Sequence, residues 1–158
     1  MNWPSWILSG LVATLALSTW LTTSQGLGFT RMNIPFLLGT IVTADREKAK
    51  AYGFVLHLLN GWAFSLLYVL TFEATQMTSW WFGALLGFAH GLFVLTVGMS
   101  ILPSLHPRMA NEQQGPDSTR KLEPPGFMAL HYGFRTPISV LLAHGAYGAI
   151  LGSLYHLK

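Results

Sequence analysis

The stretch YGFVLHLLNGWAFSLLYVLTF, Tyr52 to Phe72, contains no charged residue and is long enough to cross a bilayer as a single helix. A helix rises about 1.5 Å per residue, so about 20 predominantly apolar residues bridge the hydrocarbon core. A helix that is apolar all round has no face for water. Read this way, the segment makes the chain a membrane protein. It also makes His57 and Asn60 the residues that need explaining.

Working outward from it, three further segments qualify: Trp6 to Thr23, Trp80 to Leu102 and Pro137 to Leu157. The composition agrees. Of 158 residues, 51% are hydrophobic and 9% are charged, against about 25% charged in an ordinary soluble domain. A chain this apolar cannot cover itself with polar groups, so lipid is the solvent for most of its surface. The first segment reads as a retained span, because MNWPSW lacks the basic residues of a signal peptide. The formal net charge is +3, and the basic residues sit in two loops rather than along a groove-reading element, which excludes nucleic acid as a partner. There is no cysteine, which excludes disulfides, thiolate zinc sites and cysteine nucleophiles.

The basic residues orient the spans. Arg31, Arg46, Lys48 and Lys50 lie between spans one and two, and Arg108, Arg120, Lys121 and Arg135 between spans three and four. Lys158 alone lies elsewhere. By the positive-inside rule both loops are cytoplasmic and both termini outside, with Trp3, Trp6, Trp80 and Trp81 at the outer boundary. The expected fold is all-α: a four-transmembrane-helix bundle forming one domain over residues 1–158, with cytoplasmic loops at about 24–51 and 103–136. The expected location is a bacterial inner membrane.

The chain also aligns with itself. One constant shift brings Gly10, Leu15, Thr19, Arg31 and Met32 onto Gly87, Leu92, Thr96, Arg108 and Met109. A second brings His57, Gly61, Leu67, Tyr68 and Leu70 onto His144, Gly148, Leu154, Tyr155 and Leu157. The shifts differ by the length of an insertion within NEQQGPDSTRKLEPPG. Two tandem hairpins, about 1–76 and 77–158, are expected to be related by a pseudo-two-fold axis along the membrane normal. A short apolar piece follows each Arg-Met pair, IPFLLG and PPGFMAL, and each is a candidate interfacial or re-entrant segment.

Polar groups within hydrocarbon face the bundle interior and find partners there. Helical spacing puts His57, Asn60, Gly61, Phe64 and Tyr68 along one stripe of span two, and His144, Gly148, Leu151 and Tyr155 along one of span four. Each of these histidines stands about 8 to 10 Å in from the cytoplasmic end, and His90, on span three, about 18 Å. Three roles follow. The histidines can brace the bundle by hydrogen bonds to neighbouring helices. His57 and His144, as neutral imidazoles at one depth, can be axial ligands to haem b or a metal ion, their rings about 8 Å apart across the iron. Or a small-solute or proton pathway can run through His90, with Asn60, Tyr68 and Tyr155 as polar lining.

Gly83, Gly87 and Gly91 on span three, with Gly148 and Gly152 on span four, have the spacing of close helix packing, within the bundle or against another protein. In the loops, Thr43 is the expected cap of span two. His106, His131, Glu112, Asp117 and Glu123 match no ligand motif and read as solvated loop residues. No carboxylate lies deep in a span, which argues against an acidic cation-coupling site. GxSxG, HExxH and phosphate-loop motifs are absent, so nothing marks the chain as an enzyme.

The pieces TRMNIPFLLGT, ILPSLHPRMA and PPGFMALHYG resemble small four-helix integral membrane proteins of bacteria, over nearly the whole chain. The resemblance implies four spans and supplies no activity or ligand. The function expected from the residues is a non-catalytic subunit or accessory protein acting through helix packing, its partners the bilayer and a larger membrane complex or a second copy. Haem or metal binding, and then the His90 pathway, are the alternatives.

Overall fold

The computed structural model describes residues 1–158 and is all-helical. Four helices are long and apolar enough to cross a membrane: α1 (Trp3–Gly26), α3 (Arg46–Thr75), the run of α4 (Trp80–Phe93) and α5 (Met99–Leu105), and α6 (Thr136–Leu154). A short helix α2 (Ile34–Val42) lies between α1 and α3. One π-helical turn, Val94–Gly98, joins α4 to α5.

The helix ends follow local chemistry. Asn2, Asn33 and Ser79 cap α1, α2 and α4 by accepting from backbone amides in the first turn. Asp45, and not Thr43, caps α3: its carboxylate accepts from the amides of Glu47 and Lys48, while Thr43 accepts from the amide of Asp45. A carboxylate at that position also favours the positive end of the helix. The charged residues at 46–50 form the start of α3 ahead of its apolar run, and α6 stops at Leu154, short of the expected Leu157, leaving Tyr155 in extended conformation.

Around the bundle, α6 packs between α4 and α1, and α1 packs between α6 and α3. Half of the apolar window of α6 is buried (50%) but only 22% of that of α4–α5, so α1 and α6 are the central pair. The loop end of that pair is tied by Ser139 Oγ donating to Ser24 Oγ (2.9 Å) and by a Thr30–Thr136 hydroxyl pair (2.7 Å). By contrast α3 and α4 meet only through side chains. Around this core, large apolar side chains such as Leu8, Leu59, Leu85 and Ile138 stand exposed on every long helix.

The two apolar loop pieces take different forms. IPFLLG is the body of α2, laid against α3 so closely that Cβ atoms added at Gly39 and Gly53 would fall 1.7 Å from the carbonyl oxygens of Ala49 and Pro35. PPGFMAL leads into a 3-10 turn, Phe127–Tyr132, with Met128 and Ala129 at positive φ. Each Arg-Met pair reaches into the opposite half. Arg31 donates to the Glu123 carboxylate (3.0 Å) and to the His131 carbonyl, and Arg108 donates to the carbonyls of Thr40 and Ile41. The latter are carbonyls of the last turn of α2, where a cation complements the helix dipole.

His106, expected in solvent, is buried. Its Nδ1 accepts from the Arg108 amide (3.1 Å), so Nε2 carries the proton and donates to the Leu37 carbonyl (3.0 Å). Burial holds its pKa below the usual 6.5, opposed by the Leu37 carbonyl and reinforced by the Arg108 charge. His131, Glu112, Asp117 and Glu123 stay at or near the surface of the second loop, and no group of acidic and histidine side chains is arranged to hold a metal ion.

Candidate functional site

Helix α4 brings His90 to the middle of the bundle, and α6 brings His144 beside it. Their rings meet edge to face, 4.9 Å between centroids. The close approach is made possible by glycine: a Cβ at Gly91 would lie 3.1 Å from His144 Cβ, and one at Gly87 would lie 2.1 Å from the His144 carbonyl oxygen. Further along the same seam, Cβ atoms at Gly83 and Gly148 would each fall 2.0 Å from the other residue's carbonyl oxygen, and one at Gly152 would fall 2.2 Å from Ser79 O. All five glycines marked in the sequence therefore face the α4–α6 seam. None is left as an outward docking face.

Hydrogen bonds fix the state of two of the three histidines. His144 Nδ1 lies 2.9 Å from the Val140 carbonyl, which can only accept, so Nδ1 carries the proton. Ser18 donates its hydroxyl proton to the Thr14 carbonyl (2.8 Å), so His57 Nδ1, 3.0 Å away, donates to Ser18 Oγ. In the neutral imidazoles Nε2 is then a bare lone pair at both His57 and His144. His90 Nδ1 pairs with Tyr68 OH at 3.0 Å.

Tyr147, which the sequence reading did not single out, completes the centre. It is 1% exposed, donates to the Gly61 carbonyl (2.6 Å) and stacks edge-on to Tyr68, 5.3 Å between centroids. Its signal in the sequence was present but weak: a tyrosine one turn beyond His144. Ser18, the partner of His57, carried no signal, because serines are frequent along α1.

Two expected lining residues lie elsewhere. Tyr155 sits at the chain-terminal end of the bundle, donating to Glu73 (2.5 Å) and accepting from the Asn2 amide (2.9 Å). Where α6 ends one residue earlier, the stripe assumed for span four ends with it. Asn60 is exposed on the outer side of α3 and makes no side-chain hydrogen bond within the chain.

Where α3 and α4 part, a cavity of about 390 Å³ opens, lined by Phe64, Leu67, Tyr68, Thr71, Leu86, His90 and Phe93. It lies within the range of ligand pockets. Leu67 and Phe93 on its rim are 57% and 52% exposed, so it opens sideways, on the apolar surface of the bundle, and not along its axis. Tyr68 and His90 form its polar floor, with Phe64 tilted over His90 at 4.7 Å. The wall ends at the π-turn that begins at Val94, a distortion that costs regular hydrogen bonding and is frequent at functional sites. Neither His57 nor His144 lines this cavity, and His90 occupies the space beside His144.

No protein-family model, curated protein or solved structure matches the chain.

Proposed function

We propose that the protein is a multi-pass inner-membrane protein whose α3–α4 crevice binds a small lipophilic molecule bearing a hydrogen-bonding head, without catalysing a reaction. The carrying observation is the cavity: its rim is apolar and opens where lipid would lie, and its floor holds two polar groups, Tyr68 and His90. An occupant arriving from the bilayer needs an apolar body and one group, such as a carbonyl or hydroxyl, that meets the imidazole or the phenol. This narrows the small-solute reading of His90 to a site entered from the side.

In this reading the four long helices are spans, the two basic loops are cytoplasmic and both termini are outside. The exposed leucines on all sides of the bundle support bilayer placement. Because the chain has no cysteine, single cysteines report topology directly. A membrane-impermeant maleimide should label Met77→Cys in intact cells and Gln113→Cys only after the membrane is opened. Reversed labelling would invert the orientation.

Two tandem hairpins also belong to this proposal. Their support is the reciprocal reach of Arg31 and Arg108 into opposite halves. The halves have diverged where α2 in one faces the 3-10 turn in the other.

The binding reading is tested by mass spectrometry of small molecules extracted from gently purified protein. A lipophilic compound near one per chain, absent from Leu67→Trp and His90→Phe, is the expected result. A preparation with no such compound in any of several mild detergents would overturn it. Asn60 favours a second reading, a role as accessory subunit. An exposed amide on a membrane span gains by hydrogen-bonding to a neighbouring helix. Loss of a co-purifying protein, or of a self-associated form, in Asn60→Leu would select that reading. The haem reading keeps the two bare Nε2 lone pairs in its favour, but neither His57 nor His144 lines the α3–α4 crevice. A Soret band in the same preparation would restore it.

A further inference from the structure

We propose that a second groove, between the loop ends of α1 and α6, is a binding site for one phospholipid with an anionic headgroup. The groove encloses about 900 Å³, and its residues change character with depth. At the mouth stands Arg135, beside Phe29 and Phe134, whose rings its guanidinium faces at 5.6 and 5.2 Å. Along α1, the hydroxyls of Thr19 and Thr23 line the wall and make no hydrogen bond within the chain. Trp20 and Leu142 stand at the level of the threonines, and Ala16 lies deeper. From Arg135 to Leu142 the helix rises about 10 Å. A cation at the mouth, hydroxyls set among apolar side chains below it and an apolar floor at Ala16 suit a phosphate, glycerol esters and an acyl chain in turn.

Charge complementarity selects the headgroup. Arg31, Lys50 and Arg120 are paired with carboxylates, and Arg108 with the carbonyls of α2. Arg135 has no carboxylate or carbonyl partner, and it is the one basic residue that lines this groove. A guanidinium held over two exposed aromatic rings keeps its donors free for phosphate oxygens. With the bilayer placement proposed above, on which this inference rests, Arg135 lies at cytoplasmic headgroup depth, where basic pockets between helices recognise anionic lipid. An ordinary lipid-facing surface has the apolar depth but neither the unpaired cation nor the hydroxyl tier. The site shares no residue with the α3–α4 crevice.

The test is native mass spectrometry of the full chain, delipidated in mild detergent and titrated with phosphatidylglycerol or phosphatidylcholine of identical acyl chains. One phosphatidylglycerol should bind about fivefold more tightly than phosphatidylcholine, the effect of one basic residue at the surface. Arg135→Gln should abolish the preference, Arg135→Lys should keep most of it, and Arg120→Gln should leave it intact. Ala16→Phe, which fills the groove floor, should weaken both lipids. Equal binding of the two lipids by the unaltered chain, or a preference that survives Arg135→Gln, would overturn the proposal. Displacement of phosphatidylglycerol by inorganic phosphate at millimolar concentration would also overturn it, by showing a site for the anion alone. Failure of the cysteine-labelling experiment would remove the bilayer placement and is read separately from any of these outcomes.

Discussion

Helix α4 has two working faces, and they solve opposite problems. Toward α6 it presents glycines, so that backbone meets backbone along the seam. Toward α3 it presents Leu86, His90 and Phe93, large side chains that hold the two helices apart and leave a cavity between them. In the proposed bilayer placement there is no hydrophobic drive to close such a gap, since hydrocarbon solvates leucine as well as protein does. Close packing must therefore be built by removing side chains, and an opening is made by keeping them. The seam provides rigidity, and that rigidity fixes His90 at the floor of the crevice.

The largest effect should come from breaking the seam. Gly83→Ala or Gly148→Ala puts a methyl group 2.0 Å from a facing carbonyl oxygen, and each should cost about 1–3 kcal/mol through overpacking. Leucine at either position should prevent recovery of a monodisperse folded chain. Gly98→Ala, which meets nothing closer than 3.9 Å, is the matched control. Denaturation in mixed micelles, followed by circular dichroism, measures all three. Equal stabilities would mean that the seam does not hold the bundle.

A smaller effect should come from the crevice. Tyr68→Phe and His90→Phe each remove one side of a single hydrogen bond, and a double-mutant cycle should return a coupling of about 1 kcal/mol. Zero coupling would show that the phenol and imidazole act independently, and would sharpen the contrast by making the crevice floor free to meet a ligand at both groups.

The smallest effect should be a pH slope at the foot of the α4–α5 run. His106 is held below its ordinary pKa of 6.5, so the unfolded chain binds a proton there that the folded chain does not. Its stabilising contribution is complete above that value and is lost as pH falls below it, because a proton on Nδ1 displaces the Arg108 amide. His106→Gln should flatten the dependence of stability on pH below about 6.5 relative to the unaltered chain. An unchanged slope would place the titration elsewhere.

Much of this architecture was legible beforehand, for a specific reason. Helices long and apolar enough to cross a membrane announce themselves, because a backbone in hydrocarbon must be satisfied within the helix, which demands one long uncharged run. The glycine spacing likewise indicated a packing face, although it did not say what packed there. The candidate site was less legible. His57, His90 and His144 were all marked, yet the pair that touches is His90 with His144, and not His57 with His144. Depth along a helix can be counted from sequence, but rotation about the bundle cannot. Asn60 shows the same limit, since helical spacing allowed it to face inward and the packing of α1 against α3 turned it out. The loop position of His106 predicts a solvated side chain, whereas α2 folds back to cover it.

The number of long apolar helices, their approximate ends, the charge asymmetry of the loops and the identity of the polar residues within them follow from the order of residues alone. These depend on local hydropathy and capping, which each segment carries alone. Tertiary structure decided which helix faces meet: that the glycines close α4 on α6, that α3 stands off from α4 to leave a crevice over His90, and that Arg135 overlooks a groove with no carboxylate to pair it. Those outcomes depend on the relative rotation of whole helices. Rotation is set by many weak contacts acting together, and no single segment encodes it.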